Sequence, residues 1–310
     1  MSESINAIIF PCPDFKISEL NPFRENIIHI PTKNENEKIP CLFQKKENSD
    51  KILIIFHCNG LDMFDVFKFI NELFADKNIN ILIPEYPGYS IYYSPLSSKK
   101  CLENSLIIYD YILNNIKNIK EENIYILGRS LGTGPAIYLA SQRNPAGTFL
   151  ISPYRTFGDV GRRIYDKGKI DALSQHFRSI DYIDKIKTPL LIIHGKNDEL
   201  INFEEAKILY EKCSNDIIKE FKLIDNMIHN YCLPFLSQEI VPYIIDFANK
   251  NCNLKNFKNE NKEENKIIID FDEIIYKLPE KLESLIRIEE DEKLLEEREG
   301  NLNEEDLYGE

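Results

Sequence analysis

The sequence predicts an α/β protein with a mainly parallel central sheet wrapped by helices. Two observations carry that reading. From about residue 25 to 250, short apolar runs alternate with stretches of helical periodicity, and repeated βα units of this kind assemble into parallel sheets. Several runs, such as 52–56 and 189–193, are continuously apolar and not alternating, as expected of strands covered on both faces.

In chain order, residues 25–31 and 38–45 read as paired strands joined by the polar turn Lys33-Asn34-Glu35-Asn36. A strand at 52–56 precedes a helix at about 62–76, a strand at 81–83 and a helix through about 100–118. The run Asn123-Ile124-Tyr125-Ile126-Leu127 then leads through Gly128-Arg129-Ser130-Leu131-Gly132 into a helical pattern starting near Pro135. Strands follow at 148–151, 189–193 and 221–224, with helices at about 203–213 and 235–249. The segment between strands at 153–187 carries helical patches and is expected to form a small cap, too short for a deep lid. These elements make one domain over residues 1–250.

Charge divides the chain differently. The formal net charge is −13, from 51 acidic and 38 basic residues, and residues 251–310 hold 19 of the acidic and 9 of the basic ones. The body is therefore nearly balanced, which argues against nucleic-acid binding, since that requires a basic face. The acidic C-terminal extension places Leu278, Leu282, Leu285 and Ile286 at helical spacing within a charged stretch. It is expected to be a linker plus an exposed helix, or a helix docking on the body or on a protein partner. No internal repeat is visible.

No apolar run reaches the length of a membrane span. The Met1-Ser2-Glu3-Ser4 start lacks the features of a secretory signal, and Ser2 stands where N-myristoylation needs glycine. Seven scattered cysteines, none at zinc-ligand spacing, suit free thiols in a reducing compartment. The cytoplasm is the expected address.

The chemistry centres on Gly128-Arg129-Ser130-Leu131-Gly132, a G-x-S-x-G sequence between a strand and a helix. That context is what a nucleophile elbow requires. The turn is so sharp that the serine takes a strained conformation, and glycines two positions either side relieve the crowding. Ser130 would then stand above the sheet at a helix N-terminus, whose dipole favours developing negative charge. A serine hydroxyl needs a base beside it, and that base needs an orienting acid. Asp198 lies in the loop after the strand at 189–193, with Glu199 in reserve, and His229 follows the strand at 221–224. The order Ser, Asp, His, each at a strand end, is far more specific than the elbow alone. The backbone N–H of Leu131, next to the nucleophile, and that of Asn59, in the loop after 52–56, are the expected oxyanion donors.

The other histidines read as structural. His29 lies mid-strand; His57 and His194 end strands and brace loops, His194 the one that holds Asp198. His176 falls in the cap, expected at the surface or against substrate. The chemistry requires no metal and no cofactor.

Together these residues resemble the α/β-hydrolase superfamily, and more closely its domain-containing 17 and 13 groups, over most of residues 5–250. The elbow with its Gly132-Thr133-Gly134-Pro135 continuation, the segment from Pro189 to Glu199, the His229-Asn230 step and the His57-Cys58-Asn59 loop carry the likeness. The resemblance implies an α/β-hydrolase fold and a serine hydrolase, and the 17 group implies removal of long-chain acyl groups from protein cysteines. Cys58 stands where that family has glycine, Glu85-Tyr86-Pro87-Gly88-Tyr89-Ser90 follows its counterpart only loosely, and the lipidated N-terminal cysteine cluster of the animal depalmitoylases is absent. Recruitment by lipid anchors is therefore not expected. The leading reading is an acyl-protein thioesterase whose partner is an acylated protein, with peripheral membrane contact. The alternatives are a lipid or small-ester carboxylesterase and a non-catalytic binding protein on a hydrolase scaffold.

Overall fold

The apolar runs become the strands of one eight-stranded sheet in a computed structural model, which describes residues 2–252 except 14, 161, 163–164 and 231–234. The extension at 251–310, and with it the expected helix around Leu278 to Ile286, lies almost wholly outside the described residues. The strands are β1 (Ile27–Pro31), β2 (Lys38–Gln44), β3 (Ile52–Phe56), β4 (Asn80–Pro84), β5 (Ile124–Arg129), β6 (Gly147–Ile151), β7 (Leu190–Gly195) and β8 (Lys219–Ile224). Their order across the sheet is β1-β2-β4-β3-β5-β6-β7-β8. β2 runs antiparallel to both β1 and β4, and every pair from β4 onward is parallel.

The helices are α1 (Ser2–Ile9), α2 (Met63–Leu73), α3 (Ser98–Asn115), α4 (Thr133–Gln142), α5 (Phe157–Val160), α6 (Lys167–Leu173), α7 (Phe203–Lys212) and α8 (Val241–Asn251). Alternate residues of each central strand supply two separate cores. Ile52, Ile54 and Phe56 of β3 pack with α3, α4 and α7 on one face, while Leu53 and Ile55 pack with α2 and α8 on the other. Period-two side-chain alternation, applied to a run apolar throughout, requires helices on both faces.

Caps fix where several helices begin. Ser97 Oγ accepts the Lys100 N–H at 3.2 Å, and Asn202 Oδ1 accepts the Glu204 N–H at 3.0 Å, each satisfying a donor the first helical turn leaves open. The cap segment is smaller in regular structure than its length: α5 and α6 plus the 3₁₀ turns Ser179–Asp181 and Ile183–Lys185.

Three features lie outside the sequence expectation. α1 precedes the first strand, and Ile17–Asn26 winds as 3₁₀ turns with Pro22 inside. The C-terminal helix begins with a wider turn at Leu236–Ile240.

Candidate active site

The strand order reverses at β3: β4 lies on one side of it and β5 on the other. In open α/β sheets a crevice opens at such a reversal, outside the carboxyl ends of the strands. The loop 57–60 leaves β3 there, Ser130 follows β5, Asp198 follows β7 and His229 follows β8. Four segments far apart in sequence thus converge because parallel strands all end on one edge.

The elbow is strained as the sequence requires. Ser130 sits at φ +50°, a left-handed conformation unfavourable for a residue with a Cβ. A Cβ at Gly128 would lie 2.6 Å from the Gly132 carbonyl oxygen, and one at Gly132 would run into the Phe56 carbonyl of β3. Only glycine lets the turn press against its own strand and the neighbouring one. Ser130–Gly132 forms a 3₁₀ turn that feeds directly into α4.

Ser130, His229 and Asp198 stand in a hydrogen-bonded line. Ser130 Oγ lies 2.9 Å from His229 Nε2, and His229 Nδ1 lies 2.8 Å from Asp198 Oδ2. All three are buried, at 6%, 5% and 6% exposure, so water does not screen the line. An ionised carboxylate can only accept, so His229 donates from Nδ1 and offers its Nε2 lone pair to the serine hydroxyl. Asp198 Oδ1 accepts the N–H groups of Leu200 (3.0 Å) and Ile201 (2.7 Å). Burial pushes the Asp198 carboxyl up, but hydrogen bonds from His194 and His229, the electrostatic pull of the adjacent His229 ring and the Ile201 N–H outweigh it. The acid is held well below the usual carboxylate range. Glu199, the reserve acid, is elsewhere: its Oε2 accepts the His229 backbone N–H at 2.9 Å.

Asn59 and Leu131 line the same cleft as Ser130 and His229, a space of about 310 Å³ walled also by Leu61, Phe157, Val160 and Leu200. The Asn59 side chain ties its loop to two other segments. Its Nδ2 donates to the Ile9 carbonyl at 2.8 Å, and its Oδ1 accepts the Tyr89 hydroxyl at 2.7 Å and the Gly60 N–H at 3.1 Å. On the other donor's side, the Leu131 carbonyl accepts the buried Tyr154 hydroxyl at 3.1 Å. Among the described residues no cluster of ligand side chains is arranged to hold a metal ion.

The remaining histidines are spread as expected, with one exception. His29 is buried in β1. The His57 ring sits between the Cys58 carbonyl (3.0 Å) and Glu85 Oε1 (3.2 Å), bracing the loop it begins. His194 Nε2 lies 3.0 Å from the Ile201 carbonyl and 3.3 Å from Asp198 Oδ2, so it braces the acid itself. The exception is His176, which is not a free surface group: its Nδ1 lies 2.6 Å from Ser98 Oγ, tying the cap to the start of α3. Burial lowers its pKa.

Glu85 is a brace of the loop after β3, a role that sequence reasoning does not assign it. Buried after β4, it takes the His57 ring, the Tyr86 N–H at 2.9 Å, the Met63 N–H at 3.2 Å and the Ser90 hydroxyl. The one signal in the sequence is a charged residue directly after an apolar strand. Nearby, Asp62 caps α2 by accepting the Phe64 (3.0 Å) and Asp65 (2.9 Å) N–H groups. Burial raises the Asp62 carboxyl to about 6, above what those hydrogen bonds recover, and the charges of Glu85 and Asp65 add to the rise. A folded-state pKa above the unfolded value means that ionising the group costs stability, progressively from the ordinary carboxyl range up through about pH 6. Asp62→Asn keeps an acceptor for the cap and removes the charge. It is expected to raise Tm at pH 7.5 by about 2–4 °C, the equivalent of roughly 1 kcal/mol at this size, and to do little at pH 4. Thermal melts at the two pH values check it; an equal gain at both would overturn the account.

Comparison with known proteins agrees with this architecture. A family model described as serine aminopeptidase, S33, matches residues 171–233. A putative alpha/beta hydrolase of Acanthamoeba polyphaga mimivirus is 28% identical over 240 residues, 76% of this chain and 89% of that protein. Human alpha/beta hydrolase domain-containing protein 17B is 31% identical over 186 residues, 59% of this chain and 63% of that protein. The chain spans between about half and two thirds of the length of the 17B and 17C relatives it matches, 63% of human 17B and 53% of human 17C. Among solved structures, an esterase of Pyrococcus furiosus superposes with a TM-score of 0.62 at 18% identity, covering 78% of this chain and 95% of that one. Est1E from Butyrivibrio proteoclasticus does so at 0.56 and 18% identity, covering 72% and 99%. The fold is that of the α/β hydrolases. Within that class the chain is similar to the domain-containing 17 group.

Proposed function

We propose that the protein hydrolyses acyl thioesters and esters through Ser130, His229 and Asp198, and that its substrates are S-acylated proteins. The observation that carries this is the buried line from Ser130 Oγ through the His229 ring to Asp198, 2.9 Å and 2.8 Å long. In this reading His229 takes the Ser130 proton as Oγ attacks the acyl carbon. Asp198 stays ionised and stabilises the imidazolium, and the Leu131 and Asn59 N–H groups receive the oxyanion. His229 then protonates the leaving thiol, and a water activated by the same ring releases the acid. The apolar walls from Leu61, Phe157, Val160 and Leu200 suit a hydrocarbon acyl group. The small cap suits a bulky, lipidated protein as leaving group. Likeness to the 17 group supports the substrate class.

The address that goes with this reading is a reducing compartment, the cytoplasm, with peripheral contact at membranes where acylated proteins reside. The six cysteines among the described residues are free thiols, and no helix there is long and apolar enough to cross a membrane.

The test is hydrolysis of a long-chain S-acyl peptide beside the matching O-acyl peptide. Thioester turnover with a kcat/KM at least about tenfold above the oxyester is the expected result, since a thiolate leaves more readily than an alkoxide. Preference for the oxyester would favour the carboxylesterase alternative. A well-folded protein that turned over neither would favour the binding scaffold.

A further inference from the structure

His229 lies beyond the end of β8, outside any strand or helix. Two side chains hold its backbone: Glu199 accepts its N–H at 2.9 Å, and Arg129 Nη2 donates to its carbonyl at 2.9 Å. The same guanidinium donates from Nη1 to Cys58 Sγ at 2.8 Å. Cys58 immediately precedes Asn59, and burial keeps its sulfur a thiol, a weak acceptor. Arg129 is itself the last residue of β5, directly before Ser130.

This is an unusual use of an arginine in this protein. Arg143, Arg155, Arg162 and Arg178 each pair with a carboxylate. Arg129 spends its donors on a carbonyl and a thiol, one on each side of the nucleophile. A guanidinium is planar, with donors fixed in a fork. Two of its nitrogens bound to two loops therefore fix the spacing of those loops, which a single ammonium with a freely turning stem cannot do.

We propose that Arg129 is a positioning residue that locks the His229 loop and the Asn59 loop into one arrangement about Ser130. The proposal rests on the reading of Ser130, His229 and Asp198 as the catalytic line. Its consequence is a single strut through which the base and the oxyanion donor keep their distance from the nucleophile. A misplacement of about 1 Å in such a site costs about 10²-fold in rate.

The experiment compares wild type with Arg129→Met, Arg129→Lys, Cys58→Ala and the Cys58→Ala/Arg129→Met double variant. It measures kcat, KM, the rate of fluorophosphonate labelling at Ser130, and Tm. Arg129 also lines the cleft, so the split between kcat and KM separates the two roles: as a strut acting through the loops, Arg129→Met is expected to lower kcat and the labelling rate together by about 100-fold with KM within about twofold. Arg129→Lys should fall between, since it can serve one loop and not both. Cys58→Ala should cost less than Arg129→Met and add nothing in its background. A folded Arg129→Met with wild-type kcat overturns the proposal. So does a loss carried by KM alone, which would make Arg129 a substrate contact. Should Arg129→Met not fold, the same split measured on Arg129→Lys decides. Wild-type protein that fails to label overturns the hydrolase reading underneath; labelled wild type with an unaffected variant overturns the strut alone.

Discussion

Ser130→Ala is expected to lower turnover on the order of 10⁶-fold and to abolish fluorophosphonate labelling, while leaving the protein folded. The size follows from what the substitution removes. His229 and Asp198 remain joined at 2.8 Å, and the Leu131 and Asn59 loops are untouched, but no atom remains to form the acyl-enzyme. Stability should barely move. Alanine at φ +50° carries the same Cβ that serine does, so the strain of the elbow is unchanged. The lost contact is one hydrogen bond to a buried ring, about 1 kcal/mol. Steady-state hydrolysis, labelling and a thermal melt on the same preparation check the three parts. Activity above about a hundredth of wild type would remove Ser130 from the nucleophile's role.

Gly132→Ala is the opposite case, a substitution whose effect falls on the fold. The added methyl would overlap the Phe56 carbonyl oxygen and lie 2.5 Å from its carbon and 2.7 Å from the His57 oxygen. These are backbone atoms of the central strand and cannot rotate away. β3 is held by β4 on one side and by β5 on the other, where Phe56 stands opposite Gly128. Either the elbow lifts from β3 or the strand bends. We expect a loss of about 3 kcal/mol or more, and inactivity in whatever fraction stays folded. Denaturant melts and soluble yield measure it; a variant within about 1 kcal/mol of wild type would mean that the elbow is looser than its packing implies.

Much of the fold and of the candidate site is legible in the amino-acid sequence, for identifiable reasons. β3, β5 and β7 are continuous apolar runs, and such runs fit only a sheet covered on both faces. The elbow glycines, Asp198 and His229 can be located because a parallel sheet delivers every strand end to one edge, so order along the chain translates into proximity. What stays hidden depends on contacts between distant segments that no local pattern encodes. Ser98 and His176 are 78 residues apart, and Arg129 and Cys58 are 71 apart. α1 is not legible because eight residues give too short a period to read, and the 3₁₀ turns at Ile17–Asn26 are not because Pro22 interrupts any helical pattern there. Adjacency to Asp198 suggests Glu199 as an alternative acid; its side chain instead grips the base's backbone.

The bond from the Asn59 side chain to the Ile9 carbonyl joins segments 50 residues apart and ties an N-terminal arm, α1 with Phe10, to the loop after β3. The arm docks through that bond, Asn6 to the Leu96 carbonyl, and Phe10 against Tyr89 and Phe177, without adding a strand to the sheet. Ile9 and Phe10 are themselves buried in the core that Ile52, Ile54 and Phe56 supply on that face of the sheet. The loop expected to receive the oxyanion therefore rests on the arm through Ile9 as well as on Tyr89, Glu85 and Arg129. Loss of the seat at Ile9 would take away one of those supports and leave the others in place.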